Sequence, residues 1–228
     1  MPREKKGAAV SAFAERGSQR WLQIAVEKRP EVLLQALRTP LGLADGDRIE
    51  WRSPLRATGF KEYRDGEALR QVGVSKLRLR PLNEFWPARG PVWDAIGIAG
   101  KQPIFLEAKA HIAEMASPGT KASPESLKLI KRSLEQTRQF YAPKATAAWT
   151  GTFYQYANRL AHHYLVRELN QIPSRLVFLY FLNAEDVNGP TSEEKWRGAI
   201  ELLHAALGLS GMDADGVHEV FVDVRQLA

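Results

Sequence analysis

The sequence predicts an α/β fold in which a central mixed sheet is flanked by helices. Residues 176–182 form an almost unbroken apolar run, Leu-Val-Phe-Leu-Tyr-Phe-Leu, which is typical of a strand buried on both faces. Amphipathic helical patterns surround this run in the chain, at residues 124–141, 146–170 and 192–207. The chain has 228 residues, of which 44% are hydrophobic and 25% charged, and this suits one domain with an ordinary core.

The first part of the chain predicts a flexible segment followed by two short helices. Residues 1–17 are rich in charged and small side chains, so we expect a flexible N-terminal segment and a single domain over residues 18–228. Pro30 is expected in the first turn of a helix, where proline is favoured. The predicted elements in this part are helices from Ser18 and from Pro30, a short strand at 48–51, and a helix at 60–72 interrupted at Gly66.

Three strands are predicted next, at residues 77–83 (or as far as 85), 92–99 and 103–110. Only four residues, 99–102, join the last two, so these should form an antiparallel hairpin. Pro124 then opens a helix for which Ser123 is the expected N-cap. A last strand is predicted at residues 218–224.

Composition restricts the chemistry that is open to the chain. The net charge of +6 favours an acidic partner, such as nucleic acid or an anionic membrane. Cysteine is absent, which excludes disulfides, thiolate metal sites and a cysteine nucleophile. We find neither a signal peptide nor a transmembrane run, and expect a soluble cytoplasmic protein with no membrane partner. Whether it forms a homo-oligomer stays open.

Two opposite charges interrupt the apolar strand Ile-Phe-Leu-Glu-Ala-Lys-Ala. Because side chains of a strand alternate between faces, Glu107 and Lys109 share one face with Phe105 and His111. A charge buried in a sheet is costly unless it is paired or binds a metal. The pattern therefore predicts either an ion pair or a metal site at the end of this strand.

Asp94 is a carboxylate in the neighbouring strand, again among apolar residues. A hairpin that closes at residues 99–102 pairs positions whose numbers sum to 201, which places Asp94 opposite Glu107. Directly opposed residues have Cβ atoms about 5 Å apart, so two carboxylates there need a shared proton or a cation. Mg²⁺ (or Mn²⁺) suits such oxygen ligands, and the backbone carbonyl of Ala108 is a further candidate ligand. The alternative is a buried salt bridge of Lys109 with Glu107 or Asp94.

The spacing of Asp94 and the run Glu107-Ala108-Lys109 resembles the active-site motif of the PD-(D/E)XK nuclease superfamily. The resemblance implies a restriction-endonuclease-like core, α-β-β-β-α-β, here with an extra C-terminal helix and strand. It also implies a Mg²⁺-dependent nuclease with Asp94, Glu107 and Lys109 as catalytic residues, acting on DNA rather than RNA. Trp93 precedes Asp94, where the family name would place proline. A non-catalytic module that binds nucleic acid or protein is the alternative.

Several further residues are weaker candidates, each with an ordinary structural interpretation. Glu62 on the helix before the strands and Gln136 on the helix after them match catalytic positions of some superfamily branches, but each is also compatible with a solvated side chain. We expect phosphate contacts from Arg80, Arg89, His111, Lys121 and Arg132, although single charges often only solvate a helix face. The aromatic stretch 149–159 is compatible with base stacking or with packing on the sheet.

Overall fold

The structure, a computed structural model, describes residues 11–212 and 214–228, and shows an α/β fold with a mixed central sheet. Its helices are α1 Gly17–Glu27, α2 Pro30–Leu41, α3 Asp65–Gln71, α4 Leu82–Phe85, α5 Pro124–Tyr141, α6 Tyr154–Tyr164 and α7 Glu193–Leu207. Its strands are β1 Ile49–Ser53, β2 Tyr63–Arg64, β3 Val92–Trp93, β4 Ala95–Ala99, β5 Gln102–Lys109, β6 Arg175–Leu182 and β7 Val217–Asp223.

The central sheet has five strands in the order β1-β4-β5-β6-β7. Its first three strands are antiparallel, whereas β5, β6 and β7 run parallel to one another. The short strands β2 and β3 pair separately. The predicted α/β class, with a mixed sheet flanked by helices, is confirmed, and so is the interior position of the apolar strand β6.

Helices cover both faces of this sheet because its inner strands are apolar on both sides. On one face, Leu106, Val177 and Leu179 join a buried cluster with the apolar residues of α1 and α2. On the other, Phe105 and Phe178 join a cluster with α5, α6 and α7. The domain thus has three layers, and the β5 residues on its second face point towards α6.

The β4–β5 hairpin has the predicted register. Ala95 pairs with Leu106 and Ala99 with Gln102, so paired numbers sum to 201 as expected. The connection is shorter than predicted, because Ala99 and Gln102 are themselves paired and only two residues form the turn. Gly100 has a φ of 59°, a conformation that glycine adopts without steric cost.

The predicted strand at 77–83 is wrong: residues 77–81 form a loop and residues 82–83 begin α4. The side chain of Asn170 replaces the partner strand, because its Oδ1 accepts hydrogen bonds from the backbone N–H groups of Leu79 and Arg80 at 3.0 and 3.1 Å. Its Nδ2 donates to the Arg80 carbonyl at 2.9 Å. The third strand of the antiparallel part is instead β1, which precedes α3 in the chain.

Two helix predictions also need correction. Residues 61–62 are irregular, and the helix predicted at 60–72 begins only at Asp65, after β2. The helix predicted at 146–170 begins at Tyr154 and continues beyond α6 as a π-helical segment, Leu165–Leu169.

The N-terminal segment is described only in part. Residues 1–10 of the predicted flexible segment lie outside the described residues. From Ser11 onwards the segment contacts the rest of the domain. The ring centroids of Phe13 and Phe60, for example, lie 5.0 Å apart. None of the helices in the described part of the chain is long and apolar enough to cross a membrane.

Candidate functional site

Asp94 lies at the open end of the β4–β5 hairpin, in the single-residue break between β3 and β4. Its Oδ2 accepts a hydrogen bond of 2.8 Å from the backbone N–H of Ala108. The last backbone pair of the hairpin is Ala95 with Leu106. Beyond it, the Asp94 side chain rather than its backbone bonds to the neighbouring strand. This bond fixes Asp94 opposite Glu107 and Ala108, as the hairpin register predicts.

Glu107 and Lys109 lie together on the predicted face of β5. The Nζ of Lys109 is 2.5 Å from Oε1 of Glu107, and the Glu107 residue is only 3% exposed. Lys109 also donates to Oε1 of Gln155 at 3.4 Å. The structure therefore brings together all three residues of the predicted constellation, and it adds a glutamine from α6.

Arg159 on α6 is a fourth charged member of the site, which the sequence analysis missed. Its Nε and Nη2 lie 2.7 and 2.6 Å from Oε2 of Glu107. Nη2 also donates to the carbonyl of Val92, and Nη1 to Oδ1 of Asn158, both at 2.8 Å. Gln155 and Arg159 are four residues apart and so lie on the same face of a helix. This spacing within the stretch 149–159 could have indicated that both side chains face the sheet.

Two carboxylates and two cations thus share one largely buried cluster. Burial, and next the charge of Glu107, raise the pKa of Asp94 to about 7, against the opposing charges of Lys109 and Arg159. Burial would also raise the pKa of Glu107, but the Arg159 and Lys109 charges and hydrogen bonds outweigh it and hold that pKa below its ordinary value. The proton that the pair can take up therefore belongs on Asp94.

The oxygens of Asp94, Glu107 and the Ala108 carbonyl are the ligand type that a hard divalent cation prefers, although Glu107 is already paired with two cations. Its hydrogen bond within the described chain uses Oδ2, and the residue lines a cavity. The carbonyl of Ala108 points to the same side as its N–H, towards Asp94, because both groups of a strand residue face the same neighbour. Mg²⁺ keeps several waters, so two carboxylates and one carbonyl suffice. The described residues contain no group of three or more His, Cys, Asp or Glu arranged to hold a metal, and both oxygens of Glu107 already bind cations.

The cluster opens into a cavity of about 880 Å³. Its walls come from the segments 86–92 and 117–123, from the first turns of α5, and from α6. Arg89 and Lys121, two of the predicted phosphate contacts, line it, as do the aromatic residues Trp86 and Tyr154. The cavity therefore combines basic and aromatic groups above the paired carboxylates.

The other three predicted phosphate contacts lie outside this cavity lining. The Nη1 of Arg80 lies 3.7 Å from the Glu84 carboxylate. Nδ1 of His111 accepts from the backbone N–H of Ala113 at 3.0 Å, which caps a short helical turn. Arg132 is exposed on α5. The basic residues near the site in sequence are thus spread over more than one surface.

The two weaker catalytic candidates also lie outside the cavity lining. Gln136 lies near the hydroxyl group of Tyr164. Glu62 precedes β2 in an irregular segment rather than a helix, and accepts from Nε2 of Gln19 at 3.2 Å. Burial raises the pKa of Glu62, and the charge of Glu107 adds to this rise, so Glu62 lies near the cluster without facing the cavity.

Comparison of the chain with family models, with curated proteins and with solved structures found no match. The functional assignment accordingly depends on the geometry and chemistry of the cluster formed by Asp94, Glu107, Lys109 and Arg159.

Proposed function

We propose that the chain is a Mg²⁺- or Mn²⁺-dependent nuclease of the PD-(D/E)XK type, which hydrolyses phosphodiester bonds in nucleic acid, DNA before RNA. One observation carries the proposal. Asp94 and Glu107 face each other at the open end of a hairpin, and Lys109 lies beside Glu107 on the same face, at the base of a cavity. These are the residue types and relative positions of the motif that the sequence resembles.

The order of elements supports a restriction-endonuclease-like core. From α2 onwards the chain contributes a helix, the antiparallel strands β1, β4 and β5, the helix α5, and the strand β6 parallel to β5. The segment between β1 and β4 is an insertion in this order, and so is α6, which lies between α5 and β6. In this proposal α7 and β7 are the extra C-terminal elements that extend the sheet beyond β6.

Three residues of the cluster, Asp94, Glu107 and Lys109, have roles in the proposed chemistry. The carboxylates of Asp94 and Glu107, with the Ala108 carbonyl, would hold the cation. A bound divalent cation supplies Lewis acidity and lowers the pKa of a bound water. Lys109 donates hydrogen bonds to the oxygens around it, so its charged Nζ suits neutralisation of the charge that develops on the scissile phosphate. Gln155 holds Lys109 in position.

The cavity walls supply groups suited to a nucleic-acid strand. Arg89 and Lys121 line the cavity and would contact phosphates of a bound strand, and contacts of this kind position a strand without reading its sequence. Tyr154, which is half-buried at the cavity wall, offers an aromatic surface on which a base could stack. These features favour a substrate that is bound by its backbone and base faces, with little sequence specificity.

A binding module without catalysis is the second candidate, and charge balance favours it. Glu107 already has two cationic partners, Lys109 and Arg159, so the cluster needs no added cation to offset its buried charge. In that case the cavity would bind nucleic acid or protein, and the ion pairs would only hold β5 against α6.

An activity assay with lysine variants separates these two candidates. Plasmid, linear and single-stranded DNA, and RNA, are incubated with Mn²⁺ and wild type, Lys109→Met or Lys101→Met. Lys101 is an exposed residue of the hairpin turn and serves as the matched control. We expect Lys109→Met to slow cleavage by about 10²–10³-fold, as does the loss of one charge-stabilising donor, and Lys101→Met to cleave as wild type does. No cleavage by wild type, or cleavage that survives Lys109→Met, would refute the proposed nuclease.

A further inference from the structure

Arg159 is a buried cation whose three side-chain nitrogens all donate within the protein. Nε and Nη2 bind Glu107, Nη2 also binds the Val92 carbonyl, and Nη1 binds Asn158. The side chain is only 6% exposed. It is therefore unsuited to bind a phosphate in the cavity, although it contacts the proposed catalytic cluster directly.

These contacts tie together the two segments that carry the carboxylates. Glu107 belongs to β5, whereas Val92 lies two residues before Asp94. The guanidinium carbon is also 5.0 Å from the ring centroid of Trp93, which is 3% exposed and packs against Phe105 at 5.0 Å. Arg159 thus bridges the two segments, and the Trp93 ring packs against its guanidinium.

A divalent cation between Asp94 and Glu107 would have to share Glu107 with this guanidinium. Lys109 occupies Oε1 of Glu107 and Arg159 occupies Oε2. A divalent cation bound to Glu107 would lie close to the guanidinium of Arg159. Two positive charges that share one carboxylate repel each other strongly where little water screens them. Of the two resident cations, Arg159 is the more buried, at 6% against 14% side-chain exposure, so it is the less screened.

We propose that Arg159 is a positioning residue that sets the affinity of the site for a divalent cation, because its guanidinium holds Glu107 and competes with the cation for that carboxylate. This inference rests on the proposed metal site. It adds that Glu107 is already paired with two cations before the divalent cation binds, so cation binding works against a resident positive charge.

The test is a Mn²⁺ titration followed by the electron paramagnetic resonance signal of free Mn²⁺, which needs no catalysis. Arg159→Met removes the charge while keeping an unbranched chain, and should tighten Mn²⁺ binding by at least about tenfold. Arg159→Lys restores the charge and should return the affinity towards that of wild type. Arg167→Met is the matched control, because Arg167 pairs with Asp215 at another site. Its affinity should equal that of wild type.

Unchanged or weaker Mn²⁺ binding by folded Arg159→Met, with folding verified by circular dichroism, overturns the inference. If that variant does not fold, wild type labelled with ¹⁵N decides: the Nε–H resonance of Arg159 should shift as Mg²⁺ is added. A resonance that stays unmoved while Mn²⁺ binding is saturable also overturns it. Binding by Arg159→Met where wild type shows none supports it.

Failure of this inference can be told apart from failure of the proposed function. Equal Mn²⁺ affinities, together with cleavage that depends on Lys109, would reject only the role of Arg159. No Mn²⁺ binding by wild type or by Arg159→Met, with no cleavage, would reject both.

Discussion

The two faces of β5 are built on opposite principles, although their residues alternate along one strand. On one face Leu106, Ala108 and Ala110 are at most 1% exposed and join the cluster under α1 and α2. On the other, Glu107 and Lys109 lie among apolar residues and need partners from α6. Apolar residues of similar volume would stabilise the second face at least as well as these ion pairs do.

The two faces contribute to the stability of the fold through different interactions. Burying an apolar side chain contributes stability directly, whereas a buried ion pair returns little more than the cost of desolvating its charges. Removing one partner of such a pair is still severe, because the other charge stays in the interior. The comparison therefore predicts different responses to single and paired substitutions on the two faces.

The largest expected effect is on Glu107. Glu107→Leu leaves the buried guanidinium of Arg159 without a carboxylate, and should lower the free energy of unfolding by about 3–5 kcal/mol. Leu106→Ala, on the opposite face, should cost about 2–5 kcal/mol through the cavity it leaves. Urea unfolding followed by circular dichroism measures both.

The double variant Glu107→Leu with Arg159→Met separates the two causes. It removes both charges of the pair and should recover most of the stability that Glu107→Leu loses, since apolar replacement of a buried pair is often neutral or stabilising. A double variant no more stable than Glu107→Leu would mean that packing, and not an uncompensated charge, explains the loss.

The sequence predicts the apolar face and the hairpin register well, because both depend on local alternation. Paired positions that sum to 201 follow from two strands and a short turn, and they place Asp94 opposite Glu107. Arg159 escapes prediction because it lies 52 residues from Glu107 in the chain, and its contact exists only once α6 packs on the sheet. The strand expected at 77–83 fails for a similar reason, since Asn170 satisfies its backbone from a distance.

A second prediction concerns pH and the charge of Asp94. Its pKa is raised to about 7 in the folded chain, mainly by burial. The folded state therefore holds a proton that the unfolded chain releases near its ordinary pKa, and the ionised carboxylate destabilises the fold above pH 7. Asp94→Asn removes this penalty, so its stability relative to wild type should be greater at pH 8 than at pH 5.

Between pH 5 and pH 8, the free energy of unfolding of Asp94→Asn relative to wild type should increase by about 2–4 kcal/mol, at about 1.4 kcal/mol per pKa unit. It must be measured against wild type at each pH, in the absence of divalent cations. Burial lowers the pKa of His162 to about 3, and those of His163 and His218 to about 4. These histidines destabilise the fold as the pH falls below their ordinary value, in both proteins alike. A stability difference that does not change with pH would show that Asp94 is ionised throughout this range.

The smallest expected effect is at an exposed ion pair, which can be compared with the buried pair of Glu107 and Arg159. Arg197 pairs with Glu193 one turn earlier on α7, and their side chains are 56% and 42% exposed. Water screens this pair, so Arg197→Met should change the free energy of unfolding by about 0.5 kcal/mol or less. The same substitution at Arg159, which is 6% exposed, leaves Glu107 with one cation fewer in the interior and should cost several times more. Equal costs in urea unfolding would mean that burial does not distinguish the two pairs, and the charged face of β5 would then need no special explanation.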